Sequence, residues 1–548
     1  MQQRFLRLTS LGRFFSLFFL CFFLVVGCNT TTPNSQENPT STTTARGDRV
    51  TLGTTDKPRT LDPADSYEIA GSAIIYNVCQ TLYAYEPGTT DLKPLLATEM
   101  PEVSEDGLTY TISLRDDVTF HDSTPFNAEA MKFSLDRFIK NGGKPSFLLA
   151  DIVEAIEAPD ETTLIIKLKK PFAAFPALLG FSGTCAVSPE AYEIGEGKFN
   201  PNELIGSGPY TLTEFNSDTI RLDVFKQYWG NKPKNKGVDI QIYNDNSANL
   251  FNAVRTQAVD IASQSLDPDQ IANLLEDTKE DKLQVIEAPG TAVSFISLNR
   301  NQQPLDKLEV RQAIASIVNR KLINERVLQG QADELYSLIP TSFDVYEPIF
   351  EKVYGDANVE KAKELLEKAG YSADNPAIVP IWFPASSNSR TLAAQTLQAF
   401  VDQELEGVLK IEPETVDGAT FFKNVKEGIY PATMVFWYPD FLDADNYVQP
   451  FLSCEKGSVE GGCSEGGSQT QGSFYYSDRV NELIDAQRQE TDAVKRKAIF
   501  KELQEILAED VPYIPLWQNK EFLFVQNGVD GVQMDASQNI PFWEISKG

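Results

Sequence analysis

Histidine is nearly absent from this chain: His121 stands alone among 548 residues. A metal centre built on several imidazoles is therefore excluded, and no HExxH pattern occurs. No Walker-type phosphate loop is present either. Gly462-Cys463-Ser464-Glu465-Gly466 does spell G-x-S-x-G, but a nucleophile elbow needs a strand before it and a helix after it. Here the motif lies among glycines, and the sole histidine belongs to another loop, so the match is read as chance. No catalytic residue, metal or cofactor is expected. Basic residues are also outnumbered, 48 Lys and Arg against 78 Asp and Glu. An acidic surface of that size argues against nucleic acid and against anionic lipid heads as partners.

What the chain does have begins at its N-terminus. Arg4, Arg7 and Arg13 give a basic start without acidic residues, and a run from Phe14 to Val26 is almost wholly apolar. Thirteen residues fall short of the roughly 20 that cross a bilayer as a helix, so residues 1–27 read as a secretion signal. The run ends in Val25-Val26-Gly27-Cys28, which resembles a bacterial lipobox and implies cleavage before Cys28 and a lipid on its sulfur. Thr30 to Arg46 is rich in Thr, Ser, Pro, Asn and Gln, too polar to offset its ordering entropy, so residues 28–46 are expected to be a flexible tether. Removing the three signal arginines moves the net charge from −30 to −33. The mature length corresponds to about three domains at roughly 150 residues each, and no internal repeat is visible.

Cys21 leaves with the signal. Cys79, Cys185, Cys454 and Cys463 remain, an even number in an exported chain, which favours disulfides. Four cysteines allow three pairings. Cys454 and Cys463 flank a glycine-rich loop and are expected to close on each other, which would leave Cys79 with Cys185.

Several blocks then follow in a fixed order. QTLYAYEPGTTDLKPLLATEM, from Gln80, precedes SEDGLTYTISLRDDVTFHDSTPFNAEAMKFSLDRF. Here Asp106-Gly107 predicts a turn, Tyr110, Ile112 and Leu114 alternate as a strand, and Asn127 starts a helix with Met131, Leu135 and Phe138 on one face. His121, in the connecting loop, is read as structural. Ile205-Gly206-Ser207-Gly208-Pro209-Tyr210, Tyr228-Trp229-Gly230, LEVRQAIASIVNRKLI from Leu308, VEKAKELLEKAGY from Val359 and paired helices between Val480 and Glu509 come next. Val310, Ile314, Ile317 and Lys321 are expected on one face of a single helix. Together these blocks resemble the family 5 extracellular solute-binding proteins, the dipeptide, oligopeptide and nickel receptors of ABC importers. The resemblance spans nearly all of the mature chain. It implies an α/β fold of the type II periplasmic-binding-protein kind, two lobes closing on a cleft, with an extra domain in the first lobe. The boundaries it implies are 47–80, 200–290 and 515–548 for lobe I, 81–199 for the inserted domain and 291–514 for lobe II, with crossings near 285–300 and 505–520.

The same resemblance implies a monomeric, lipid-anchored receptor in the cell envelope that hands its ligand to an ABC permease and ATPase. Phe436 to Tyr447, FWYPDFLDADNY, looks like the loop in which peptide receptors hold the ligand's α-ammonium on an aspartate. By position that residue is Asp440, although Ala444 replaces the family's usual proline. Asp443 and Asp445 are read as turn-forming. Arg390, at the start of TLAAQTLQAFV, matches an arginine that in dipeptide receptors reaches the ligand carboxylate, or else forms a structural ion pair. Trp382, Trp437, Tyr438 and Trp517 are candidates for lining side-chain pockets. A short peptide is the expected ligand; an oligosaccharide, an opine or a metal chelate is the alternative. If Cys28 carries lipid, Cys28→Ala will block processing or release the protein from the membrane. An unmodified N-terminus in the intact mass of the wild type would exclude the anchor.

Overall fold

The computed structural model describes residues 48–244, 246–263 and 266–548. The expected signal, Cys28 and the tether lie outside the described residues. Among those described, no helix is long and apolar enough to cross a membrane.

Two long strands organise the chain. Leu283–Leu298 and Tyr513–Gln526 run antiparallel and pair over nearly their whole lengths. On one side of this pair Leu283–Leu298 takes Ala432–Trp437, then Ala377–Pro384 and Leu409–Val416. On the other side Tyr513–Gln526 takes Ile261–Ser263, then Val50–Thr54, Gly237–Ile242, Thr219–Val224 and Tyr210–Phe215. Ala332–Glu334 adds to the free stretch of Tyr513–Gln526. The register slips between Pro289 and Val293 and again between Ser294 and Phe295, so the ladder bends where its two halves meet. A Cβ on Gly290 would lie 2.5 Å from the Asn519 carbonyl oxygen, which leaves only glycine room at the bend.

The burial pattern of Leu283–Leu298 follows from that geometry. Its first half alternates, and everything from Gly290 onward is buried, as expected of a strand covered on both faces. One apolar core gathers Val293 to Trp517 under the helices Leu308–Ile317, Val359–Lys368 and Ala493–Asp510. A second takes residues from Val50 to Val78, Val187 to Ile261 and Leu523 to Ile545. A third lies within Leu82–Ala186, where the helix Ala128–Lys140 packs on a sheet of Glu102–Val103, Thr109–Ser113, Thr163–Leu168 and Val153–Glu157.

Local signals explain many of these elements. Asn127 caps its helix by accepting from the Ala130 N–H at 3.0 Å, and Met131, Leu135 and Phe138 are buried. Asn358 caps Val359–Lys368 in the same way, and Gly370, with φ +84°, closes that end in a conformation glycine adopts without strain. His121 is structural in its contacts: its Nε2 lies 3.0 Å from the Gly208 carbonyl oxygen, its ring packs edge-on against Phe225, and burial pulls its pKa down to about 4. Ser464, in the G-x-S-x-G match, sits in the strand Gly462–Glu465 of a small hairpin and donates to the Lys456 carbonyl.

One expectation needs correction. The single helix expected from Leu308 through Lys321 is two. It stops at Ile317, Val318 turns extended, and Asn319 caps a short second helix, Arg320–Ile323. The break lets Arg320 turn inward, where its Nε reaches the Leu335 and Pro515 carbonyls at 2.9 Å, while Lys321 is left 75% exposed. In the stretch expected to hold the second crossing, helix continues to Asp510 and the long strand starts at Tyr513.

The structure joins Cys79 to Cys185 across 106 residues and Cys454 to Cys463 across 9. By the chain-entropy estimate the long link stabilises by about 4.7 kcal/mol and the short one by about 3 or less. A buried ion pair ties the second and third cores. Arg137 donates from Nη1 and Nη2 to Asp62 at 2.7 and 2.6 Å, and neither side chain is more than 2% exposed. Asp62 also accepts from the Asn200 and Ala64 N–H groups. Asp62→Ala strands the guanidinium in the interior and should lower unfolding free energy by about 3–5 kcal/mol in chemical denaturation. A loss below about 1 kcal/mol would show that water compensates Arg137.

Candidate functional site

The segment Pro439–Tyr447 is irregular, yet nearly every polar side chain in it has a fixed partner. Asn446 Oδ1 accepts from the Trp437 indole N–H at 3.1 Å and from the Asp440 N–H at 3.0 Å. Asp443 takes both ends of the Arg496 guanidinium at 2.7 Å. Asp445, 1% exposed, takes Arg488 at 2.7 and 2.8 Å and also accepts from Gln487. Asp443 additionally caps the short 3-10 turn Ala444–Tyr447 by accepting from the Asp445 N–H. Ala444 is the first residue of that turn, a position where proline fits by its fixed φ, and here the two ion pairs hold the shape without it. Asp443 and Asp445 therefore do more than form a turn: they clamp the loop to the paired helices Asp478–Gln489 and Ala493–Asp510. Across the gap, Tyr85 Oη accepts from the Leu442 N–H at 3.1 Å, and Phe441 packs edge-on against Phe172.

Held in this way, Asp440 lines a cavity of about 420 Å³ with Tyr67, Ser72, Phe436 and Tyr438. One of its carboxylate oxygens accepts from the Tyr67 hydroxyl. Burial pushes the Asp440 carboxyl above its ordinary value, and the hydrogen bond from Tyr67 only partly opposes this. Among the described residues no cation pairs with it.

Arg390 lines an adjoining cleft of about 1080 Å³ together with Ser294, Phe436, Tyr438 and Trp517. Ile69, Phe436 and Tyr438 are common to the two linings. The guanidinium lies 4.7 Å over the Phe436 ring, its Nε is buried without a hydrogen-bond partner, and burial lowers its pKa to about 10. No structural ion pair involving Arg390 occurs among the described residues. A half-buried carboxylate and a half-buried guanidinium thus face neighbouring spaces, each without a counter-charge among the described residues.

The aromatic candidates divide. Tyr438 lines both spaces and donates to the Ser537 carbonyl at 3.2 Å. Trp517 lines the larger one and donates to Asn519 Oδ1 at 3.0 Å. Trp437 and Trp382 line neither. Strand alternation turns Trp437 away from the cleft, onto Phe451 and the apolar core. Trp382 stacks on Tyr430 at 4.6 Å, in a small cluster with Phe421 and Val425 beneath the helix Gly418–Lys426. In their place the structure brings Phe436, 54% exposed, and Tyr67 to the site. Alternation from Tyr438 would have placed Phe436 on the same face; nothing in the sequence pointed to Tyr67.

A half-buried carboxylate without a counter-charge has a consequence for the empty protein. The folded state holds the Asp440 proton more tightly than the unfolded chain, so ionisation opposes folding above the ordinary value of 3.8 and has no effect well below it. Asp440→Asn should therefore raise the thermal midpoint of ligand-free protein at pH 7. The gain should shrink as pH falls toward 3.8. A lower midpoint at pH 7 would mean that the carboxylate is stabilised by something other than ligand.

Residues 91–458 match the model of the bacterial extracellular solute-binding proteins, family 5 middle. The chain is 29% identical over 517 residues to the dipeptide-binding protein of Escherichia coli strain K12, covering 89% of this chain and 92% of that one. It is 29% identical over 466 residues to the glutathione-binding protein GsiB of the same strain, covering 83% and 86%. Its fold superposes with a TM-score of 0.71 on the ABC transporter-associated periplasmic binding protein DppA from Helicobacter pylori, solved in complex with peptide STSA. That match covers 91% of this chain and 98% of the other at 23% identity. The mixed α/β architecture built on two long strands is thus the two-lobed periplasmic-binding fold, and the chain belongs to the family 5 bacterial extracellular solute-binding proteins.

Proposed function

We propose that the protein is the receptor of an ABC importer and captures short peptides between its lobes, with Asp440 on the α-ammonium and Arg390 on the α-carboxylate. The observation that carries this reading is the pair of uncompensated opposite charges in adjoining spaces, with Phe436 and Tyr438 between them. A free peptide is a zwitterion, and a closed cleft that strips water from its ends must replace that water with fixed charges. The names of the relatives support the same class: one binds dipeptides, one glutathione, and the superposed structure holds a tetrapeptide. In this reading the protein binds and delivers, does no chemistry, and acts as a monomer at the outer face of the membrane. The lipobox at Cys28 and the polar segment 28–46 support anchoring there by a lipid and a tether.

Loss of one partner from a buried pair costs about 3–5 kcal/mol, so Asp440→Ala should weaken peptide binding roughly 100- to 4000-fold in calorimetric titration. N-acetylation of the peptide deletes the same interaction from the other side, and the two losses should not add. Acetylated peptide binding the wild type as tightly as free peptide would remove the amine clamp, and with it the main support for a peptide ligand.

A further inference from the structure

A third cavity lies behind the Asp440 pocket. It is more enclosed, has a volume of about 150 Å³, and shares Tyr85, Gly180, Ser182, Ser537 and Asn539 with the pocket lining, so the two spaces abut. A cavity of that size holds a benzene-sized group in an engineered protein interior, which is ample for the end of one long side chain.

Its chemistry is set by Asp535, which lines the cavity and is 5% exposed. The turn from Asp535 to Asn539 aims the carboxylate: Asn539 donates its N–H to Asp535 Oδ1 at 2.9 Å and accepts from the Asp535 N–H at 2.9 Å. The Ser537 N–H and the Tyr76 hydroxyl also bond to the carboxylate. Tyr76 is itself packed against Trp543, another residue of the lining. The Asn539 side chain bonds to it as well, so four donors meet the about four acceptor positions of a carboxylate, and what the group lacks is a counter-charge. Among the described residues no ion pair to it occurs, and burial pushes its pKa up to about 6. Lys93 and Glu544 also line the cavity, but each has its own partner, Glu86 at 3.3 Å and Lys234 at 2.7 Å. The space therefore presents one desolvated carboxylate without a counter-ion beside the place assigned to the ligand's amino end.

We propose that this inner cavity is a side-chain subsite for a positively charged group, an amine or a guanidine, and that Asp535 sets the preference. The proposal rests on the peptide reading above. A cationic side chain entering here would give the buried Asp535 carboxylate the counter-charge it lacks, whereas an apolar one of equal length would leave the charge uncompensated.

The test is calorimetric titration of the purified protein with tri-alanine peptides carrying lysine or norleucine at each position in turn. At one position lysine should bind about 10- to 100-fold tighter than norleucine, the ratio expected for a hydrogen bond to a charged group. Asp535→Asn should bring the two within about threefold, by loss of the norleucine penalty as well as the lysine gain. The proposal falls if wild type makes no distinction at any position, a measurement that needs no variant, or if Asp535→Asn keeps the distinction. If lysine and norleucine peptides bind equally while N-acetylation still abolishes binding, the peptide reading stands and only the subsite is lost. If none of these peptides binds wild type, both are overturned.

Discussion

The pairing of Leu283–Leu298 with Tyr513–Gln526 is the constraint on which the rest depends. One ladder supplies a strand to every apolar core that flanks it, so the two halves of the sheet cannot be positioned independently. Its register breaks at Pro289–Val293, with Gly290 against the Asn519 carbonyl, and Tyr447 donates to the Thr291 carbonyl at 2.8 Å from the end of the loop that carries Asp440. The bend in the backbone and the charge in the cleft are therefore two hydrogen-bonded steps apart. Hinge motion between lobes is carried by a few residues that absorb a backbone change, and a break in strand register is where such a change disrupts least.

Electrostatics then sort residues of one kind into different roles. Asp440, Asp443 and Asp445 lie within six residues of one another, yet Asp443 and Asp445 are neutralised by Arg496 and Arg488 while Asp440 is not. The first two stabilise the loop. The third raises the free energy of the empty cleft, because burial without a counter-charge disfavours its ionised form. Arg390, of opposite charge, adds to that cost nearby, and among the described residues the face of Phe436 partly offsets its desolvation. In the proposed reading, a ligand bearing both charges would relieve both, giving affinity for zwitterions over neutral solutes.

Much of the chain was legible in its sequence. The alternation at Tyr110, Ile112 and Leu114, the cap at Asn127 and the helix from Val359 that ends before Gly370 are local, because a capping carbonyl and a φ of +84° concern only neighbouring residues. The ordered blocks carried the fold, and the FWYPDFLDADNY segment marked Asp440 as the residue aimed at the cleft. The break at Val318 was not legible, since the carbonyls that draw Arg320 inward belong to residues 335 and 515, far along the chain. Nor was the fate of the tryptophans. Any large aromatic is suited both to a core and to a ligand pocket, and only the facing of each strand sends Trp437 and Trp382 into packing while Phe436 reaches the cleft. Most local secondary structure and the fold class were set by the sequence alone, because those follow from near neighbours and ordered motifs. Tertiary structure decided that Arg390 has no ion pair among the described residues, that Tyr67 meets Asp440 across 373 residues, and that Asp535 lies buried, because burial and pairing are properties of what surrounds a side chain.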